Sequence, residues 1–405
     1  MRAWFIGLMT IVPIGILGAS CALGTFEKVE APSDAGPDGC VRATVPLPPL
    51  PESLGQQWPK PPKASGEEFT TAIRVLRTKF DANGGPLGLD LDRFCSCQDE
   101  PVSCVPRADQ DKDLSCDLPG GRDNQLTQFF RLIELVLSLD PETDSLGTLY
   151  SSFAELGRWT IVFRVTGYNG LPNDDKVRVE WYPSNTLYVD GGLPDGQAPM
   201  PPVWNGQDTW AISPSAVLDA SAPTETPVFF DNDAYVTNGT LVFALQEGDL
   251  VVTNGLTRLS ITISNGVVMA EIDPYSDSYF LRNGLMAGRV SEQNLFKMVS
   301  QFRDHNGAPF CTVGNPYWLA TRDAICRGGD IQVGPPSPNK RCDAISMALG
   351  FQADPALLGG VGATLSGQMD CPNGQDPLTE YLEAGCPPPL TPIIDAGAPP
   401  DASSD

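Results

Sequence analysis

The stretch from Trp159 to Ile272 constrains this chain most. In it Trp159, Ile161, Phe163 and Val165 alternate with more polar neighbours, and Val177, Val179 and Trp181 alternate against Lys176, Arg178 and Glu180. A period of two gives each segment one buried and one wetter face, the mark of half-buried strands. The segment 167–175 between them is rich in turn residues and predicts a hairpin. Further strands are predicted at 210–213, 228–230, 241–245, 250–253, 259–263 and 267–272. Asn254-Gly255 and Asn265-Gly266 sit where type I′ turns belong. Short strands in succession, with no helix and no cysteine among them, predict a mainly β fold. The expectation is an antiparallel β-sandwich, jelly-roll-like, covered by short helices and a disulfide-rich insert.

Outside this block the spacing reads as helical. Ser65 and Glu68 match a capping box, and Phe69, Ala72, Ile73, Leu76 and Phe80 fall on one helical face, ended by Asn83-Gly84-Gly85. Helices are also predicted over 124–139, over 146–156 with Gly157 as stop, after a Ser291 cap, from Asn315-Pro316 to Cys326, and over 343–349 with Gly350 as stop. Residues 65–386 therefore read as one folded body. It comprises a helical region with a Cys/Asp-rich insert (65–157), the sandwich (158–290) and a helical, disulfide-rich region (291–386).

Arg2 followed by the apolar run Trp4–Leu17 has the layout of an export signal, too short to span a bilayer comfortably. Gly18, Ala19 and Ser20 lead into Cys21, and residues 1–21 resemble a bacterial lipoprotein signal. That resemblance implies lipidation at Cys21 and an exported protein held at the outer membrane or cell surface by its N-terminal lipid only. Gly18 occupies the place usually taken by an aliphatic residue, which leaves cleavage near Ala22 and soluble secretion as the alternative. Of Cys 11 in the chain, removing Cys21 leaves an even set suited to disulfides in an oxidising compartment. A bridge from Cys311 to Cys326 and a long-range partner for Cys40 are expected. Residues 22–64 form a Pro-rich tether and 387–405 an acidic tail, neither with the periodicity of a core.

Asp+Glu 50 against Lys+Arg 26 gives a net charge of -24, a field that repels phosphate backbones and makes nucleic acid a poor partner. The acidic residues concentrate in the insert, where Asp90, Asp92, Asp109, Asp111, Asp113, Asp117 and Asp123 accompany Cys95, Cys97, Cys104 and Cys116. Asp109, Asp111 and Asp113 place carboxylates at alternate positions, as calcium loops do, so calcium is the candidate cofactor there, against a merely solvated acidic loop. Leu114 and Gly120 stand where an EF-hand needs Gly and Glu. The run 109–117 is more similar to the Asp-rich, Cys-tied calcium repeats of thrombospondin type 3.

Catalytic motifs are scarce. His305 is the one histidine, no G-x-S-x-G elbow accompanies it, and Gly359-Gly-Val-Gly362 lacks a phosphate-binding lysine. Paired carboxylates remain, because glycosidases need two; Asp174 with Asp175, and Asp231 with Asp233, fall in loops at the expected sheet. Trp181, Trp204 and Trp210 offer ring faces for stacking on sugars. The segment Leu89-Asp-Leu-Asp-Arg-Phe-Cys-Ser-Cys97, Gly121-Arg-Asp-Asn124 and the Asp-Ala-Gly-Pro phrases of linker and tail resemble uncharacterised exported lipoproteins of myxobacteria and related deltaproteobacteria. The resemblance implies a location and no activity. The functional expectation is a non-enzymatic envelope lipoprotein, a binding or structural module for a polysaccharide or a protein partner. The alternative is an exported hydrolase that uses carboxylates.

Overall fold

The computed structural model describes residues 40, 42–48, 66–97, 101–107, 110, 116–136, 139–140, 143–189, 200–253, 258–301, 309, 316–362, 371 and 376–386, all within one unit running from Ala35 to Asp405. Its strands are β1 (Glu67–Arg77), β2 (Thr160–Tyr168), β3 (Asp174–Ser184), β4 (Thr209–Ile212), β5 (Phe230–Thr237), β6 (Thr240–Thr253), β7 (Arg258–Tyr275), β8 (Ser278–Ser291), β9 (Ala344–Pro355) and β10 (Leu357–Val361). The helices are α1 (Leu126–Val136), α2 (Ser145–Glu155), α3 (Glu292–Val299), α4 (Pro316–Arg327) and α5 (Pro377–Ala384).

The main sheet is not an open sandwich. Strands β1-β2-β3-β5-β6-β7-β8-β9 close into a barrel, every neighbouring pair antiparallel and β9 returning to pair with β1. The correction comes from the strands that the sequence pattern hid. The predicted first helix is β1: Phe69, Thr71 and Ile73 point inward by alternation, and a register shift between Ile73 and Val75 moves Leu76 inward as well. One bulge thus converts a period-two strand into an i, i+4, i+7 pattern. The predicted helix over 343–349 is β9, which is buried on both faces and so shows no alternation. Strand β8 carried no expectation at all. The two short strands expected on either side of Asn265-Gly266 are one long strand, β7. Asn265 adopts φ 47° inside it, beside a register shift between Ser264 and Val267.

Other expectations hold. The hairpin between β2 and β3 forms, and α1, α2, α3 and α4 lie where capping and periodicity placed them. Asp144 caps α2 by accepting from Gly147 N, and the same carboxylate accepts Thr78 N at 3.0 Å, which locks the helix to the end of β1. Ser291 accepts Asn294 N at the start of α3. Cys326 pairs with Cys386 rather than Cys311. Cys40 pairs with Cys95, Cys97 with Cys116, and Cys104 with Cys342, the disulfides of a chain that folds in an oxidising compartment.

The barrel interior is apolar. Phe163 of β2 meets Trp181 of β3 at 5.3 Å, Phe351 of β9 at 5.5 Å and Phe243 of β6 at 5.7 Å between ring centroids. β2 and β6 stand three places apart round the barrel, so these rings meet across the lumen and fill it. Where no other segment covers it, the outer wall of β1 to β3 carries ion pairs: Arg164 bridges Glu68 and Glu180, and Arg178 reaches Glu180. The apolar interior is the reverse of the polar lumen of a membrane-spanning barrel. Among the described residues no helix is long and apolar enough to cross a membrane.

Two pieces cover the outer wall. A small parallel sheet of β4 and β10 places Trp210, Ile212 and Ala356 over Ala72, Val162 and Tyr182 of β1 to β3. The segment carrying Leu87 and Leu89 packs on Ala287 of β8 and Ala348 of β9. Since neighbours alternate in direction, the long β1–β2, β3–β5 and β8–β9 connections leave one end together with the short β6–β7 connection, and the β2–β3, β5–β6 and β7–β8 hairpins occupy the other. At the long-loop end Lys79 donates to Glu134 at 2.6 Å, both side chains almost fully buried, and Glu134 also accepts Leu146 N. The filled lumen makes a test. Phe163→Ala should lower the unfolding free energy by about 3–5 kcal/mol, while Phe230→Ala, which removes an outer-wall ring lying 4.7 Å from the Arg178 guanidinium, should cost about 0.5 kcal/mol; urea unfolding of the oxidised protein measures both.

Candidate functional site

The chemistry of this molecule concentrates on the outer flank of β8 and β9, where the insert between β1 and β2 meets the β8–β9 connection. Its local structure follows from aspartate side chains that accept backbone N–H groups. Asp92 accepts Phe94 N at 2.9 Å, Asp117 accepts Ser96 N at 2.6 Å, and Asp123 accepts Leu91 N at 2.6 Å. Each is a side-chain-to-backbone bond that gives a segment without ladder partners somewhere to put its donors. Longer-range bonds then press the segments onto the wall: Asp123 N donates to Leu89 O, Asn124 Nδ2 donates to Leu87 O, and Ala348 N donates to Asn124 Oδ1. The Cys40–Cys95, Cys97–Cys116 and Cys104–Cys342 bridges fix this layer, the last tying it to the β8–β9 connection.

One carboxylate oxygen each from Asp90, Asp92 and Asp123 lies within 4.8 Å of the others. Asp117 and Asp330 belong to the same electrostatic group. Burial first, then the neighbouring carboxylates of Asp92, Asp330 and Asp90, push the Asp117 carboxyl up to about 8. Burial, with Asp92, Asp117 and Asp330 adding to it, holds Asp123 well above the usual carboxylate range. Asp330, fixed by Ser346 N at 2.8 Å and by the Ser346 hydroxyl, is pushed up to about 7, again chiefly by burial. Two guanidinium groups answer this charge. Arg42 donates to Asp90 Oδ2 at 3.0 Å. Arg289 of β8 feels the charge of Asp123, Asp92 and Asp330, and burial lowers its own affinity for a proton; it is held by bonds from Nη1 to Asn265 O and from Nη2 to Leu91 O.

The residues selected from the sequence lie elsewhere. Asp109, Asp111, Asp113, His305 and Cys21 fall outside the described residues. Asp174 is buried at the start of β3, where Asn169 N and Lys176 N donate to its carboxylate, and burial raises its pKa. Asp231 accepts Asp233 N and Ala244 N. Asp175 and Asp233 are exposed, Asp233 lying 3.4 Å from Lys176. Asp231 pairs with Val179, five positions along β3 from Asp174, about 16 Å at the rise of a strand, so the two carboxylate pairs do not form one site. Trp181 fills the lumen, and Trp210 of β4 is buried between the β4–β10 annex and the barrel wall. Trp204 is half-buried, 5.6 Å from the Trp210 ring and with Arg74 5.5 Å from its own.

Compared with known proteins, this chain matches no family model, and no curated protein or solved structure is similar to it. The site therefore has to be read from its own geometry. The clue to Asp90 and Asp92 was present in the alternation Leu89-Asp-Leu-Asp92, which faces its carboxylates one way and its leucines the other. Asp330 gave no signal, because it is far from the insert in sequence.

With divalent cations chelated, the folded state keeps protons on Asp117 and Asp330 that the unfolded chain releases near about pH 4. Between about pH 4 and pH 8 the folded state thus binds more protons, and stability falls as pH rises through that window. The thermal midpoint in EDTA should be higher at about pH 5.5 than at about pH 8, and Asp117→Asn should flatten the difference. A midpoint that climbs with pH would refute the buried, proton-holding cluster.

Proposed function

We propose that this protein is a non-enzymatic module of the cell envelope, exported and lipid-anchored at Cys21, in which a solid barrel serves as a rigid support and recognition of a polysaccharide or a protein partner takes place on the outside. The observation that carries this reading is the filled lumen. Phe163, Trp181, Phe243 and Phe351 occupy the space in which a ligand-carrying barrel of this size would hold a small molecule. Binding then falls to the wall and the long connections. The β3–β5 connection supports this, because Met200, Val203 and Leu218 expose most of their apolar surface there. Trp204 reaches the surface on the same connection with φ 58°, a backbone conformation costly for a bulky residue. It is held there by Asp208, whose carboxylate accepts Val203 N and Trp204 N. The disulfides and the resemblance of residues 1–21 to a lipoprotein signal support export and anchoring.

Two measurements test the proposal. Intact-mass analysis of the mature protein from an envelope fraction should show a lipid-modified chain beginning at Cys21; an unmodified chain beginning at Leu23 would remove the anchor. Cell-wall glycan arrays and immobilised envelope proteins should retain the wild-type barrel without product formation, and Trp204→Ala should weaken retention while leaving the far-ultraviolet circular dichroism unchanged. Hydrolysis of an array glycan would replace the module by a carboxylate-dependent hydrolase.

A further inference from the structure

We propose that Asp90, Asp92 and Asp123 are the inner ligands of a calcium site on the outer flank of β8 and β9, with Asp117 and Asp330 as the surrounding carboxylates. The site stands apart from the reading of the barrel as a binding module, and either can fail without the other.

Geometry comes first. Calcium binds oxygen at about 2.3–2.6 Å, so oxygens on opposite sides of one ion stand about 5 Å apart, and the separations of at most 4.8 Å among the three carboxylates fit a single ion between them. The second observation is an unanswered oxygen. The Asp90 side chain is 1% exposed, Arg42 takes its Oδ2, and its Oδ1 is buried with no hydrogen-bond partner among the described residues. A buried carboxylate oxygen left without a donor costs several kcal/mol in such a place unless a proton or a cation satisfies it.

The ligands are also held ready. Phe94 N fixes one oxygen of Asp92, Leu91 N fixes one of Asp123, and Arg42 fixes one of Asp90, so all three side chains are oriented before an ion arrives. Two disulfides, Cys40–Cys95 and Cys97–Cys116, pin the chain just after Asp92 and just before Asp117. The donor set decides the metal. The site offers oxygen alone, since Cys95, Cys97, Cys104 and Cys116 are consumed in disulfides, and oxygen without thiolate or imidazole selects a hard cation over zinc or copper. Magnesium binds at about 2.0–2.1 Å and keeps several waters; a site in which Asp92 and Asp123 are each 2% exposed suits calcium better. The charge agrees, as carboxylates outnumber the guanidinium groups of Arg42 and Arg289 around the same point.

The test uses the full mature chain with its disulfides intact, stripped with EDTA and dialysed. Calcium chloride should bind with one ion per chain by mass spectrometry of the metal and should raise the thermal midpoint by several degrees; magnesium chloride should do so more weakly. Asp92→Asn and Asp123→Asn each remove a ligand charge and also relieve repulsion. In EDTA both should melt at or above the wild-type temperature, while the calcium concentration needed for half the midpoint shift rises at least about tenfold, because affinity follows ligand charge. Asp109→Asn should respond to calcium as the wild type does. The site is overturned if the wild type takes up no calcium, if both variants respond as the wild type does, or if Asp109→Asn alone abolishes the response.

Discussion

Closure of the sheet between β1 and β9 is the constraint on which everything else in this molecule depends. Thr71 pairs with Pro355 and Arg77 with Gly350, so the first strand waits for one that arrives nearly the whole folded length later. Until that ladder forms, β1 and β9 are unpaired edges, and the apolar faces of the other strands have no opposite wall. Once it forms, no strand of the barrel has a free edge. Large side chains then meet at the centre, and Ile161, Phe163 and Val165 of one strand share a core with Ile345, Met347, Leu349 and Phe351 of another. This is a fold dominated by contacts between residues distant in sequence, the kind that forms slowly and gains its stability late.

The same constraint explains which parts of the fold could be read in advance. β2 and β3 were legible because one face of each touches the lumen while over much of their length the other carries polar side chains such as Arg164, Arg178 and Glu180, so alternation survives in the sequence. β9 has a covered outer face as well, where Ala348 lies under Leu87 and Leu89; with both sides apolar its residues give no period, and length and a following glycine suggest a helix instead. β1 carries a bulge, which breaks period two at the place where the strand curves round the barrel. Asn265-Gly266 reads as a turn for a related reason. A Cβ at Gly266 would come 2.8 Å from Ala287 O, and one at Gly288 would come 2.5 Å from Ile263 Cγ2, so these glycines let β7 and β8 approach and coil where a chain reversal was expected. Every strand that bends the sheet shut departs from the simple pattern, and an open sandwich is what remains when those strands are missed.

The carboxylate cluster was legible in composition and illegible in arrangement. The insert announced itself by aspartate and cysteine density, but spacing favoured Asp109, Asp111 and Asp113, which are adjacent in the chain. The residues that converge come from 90, 92, 117, 123 and 330, brought together by three disulfides and by the barrel wall beneath them. Tryptophan was misleading for the converse reason. A sheet with a free face would display Trp181 and Trp210, whereas a closed sheet swallows the first and the second sits in the β4–β10 annex with its ring against the barrel wall.

The Cys104–Cys342 bridge has a further meaning for the life of the chain. It closes a covalent ring around β2 to β8, joining the layer that follows the first strand to the connection that precedes the last barrel strand. A protease that cut any single exposed connection inside this ring would leave both fragments bonded and both halves of the wall in register. The ring can be sealed only once Cys342, near the end of the folded body, has been made and meets an oxidising environment, so the loop is among the last covalent features the chain acquires.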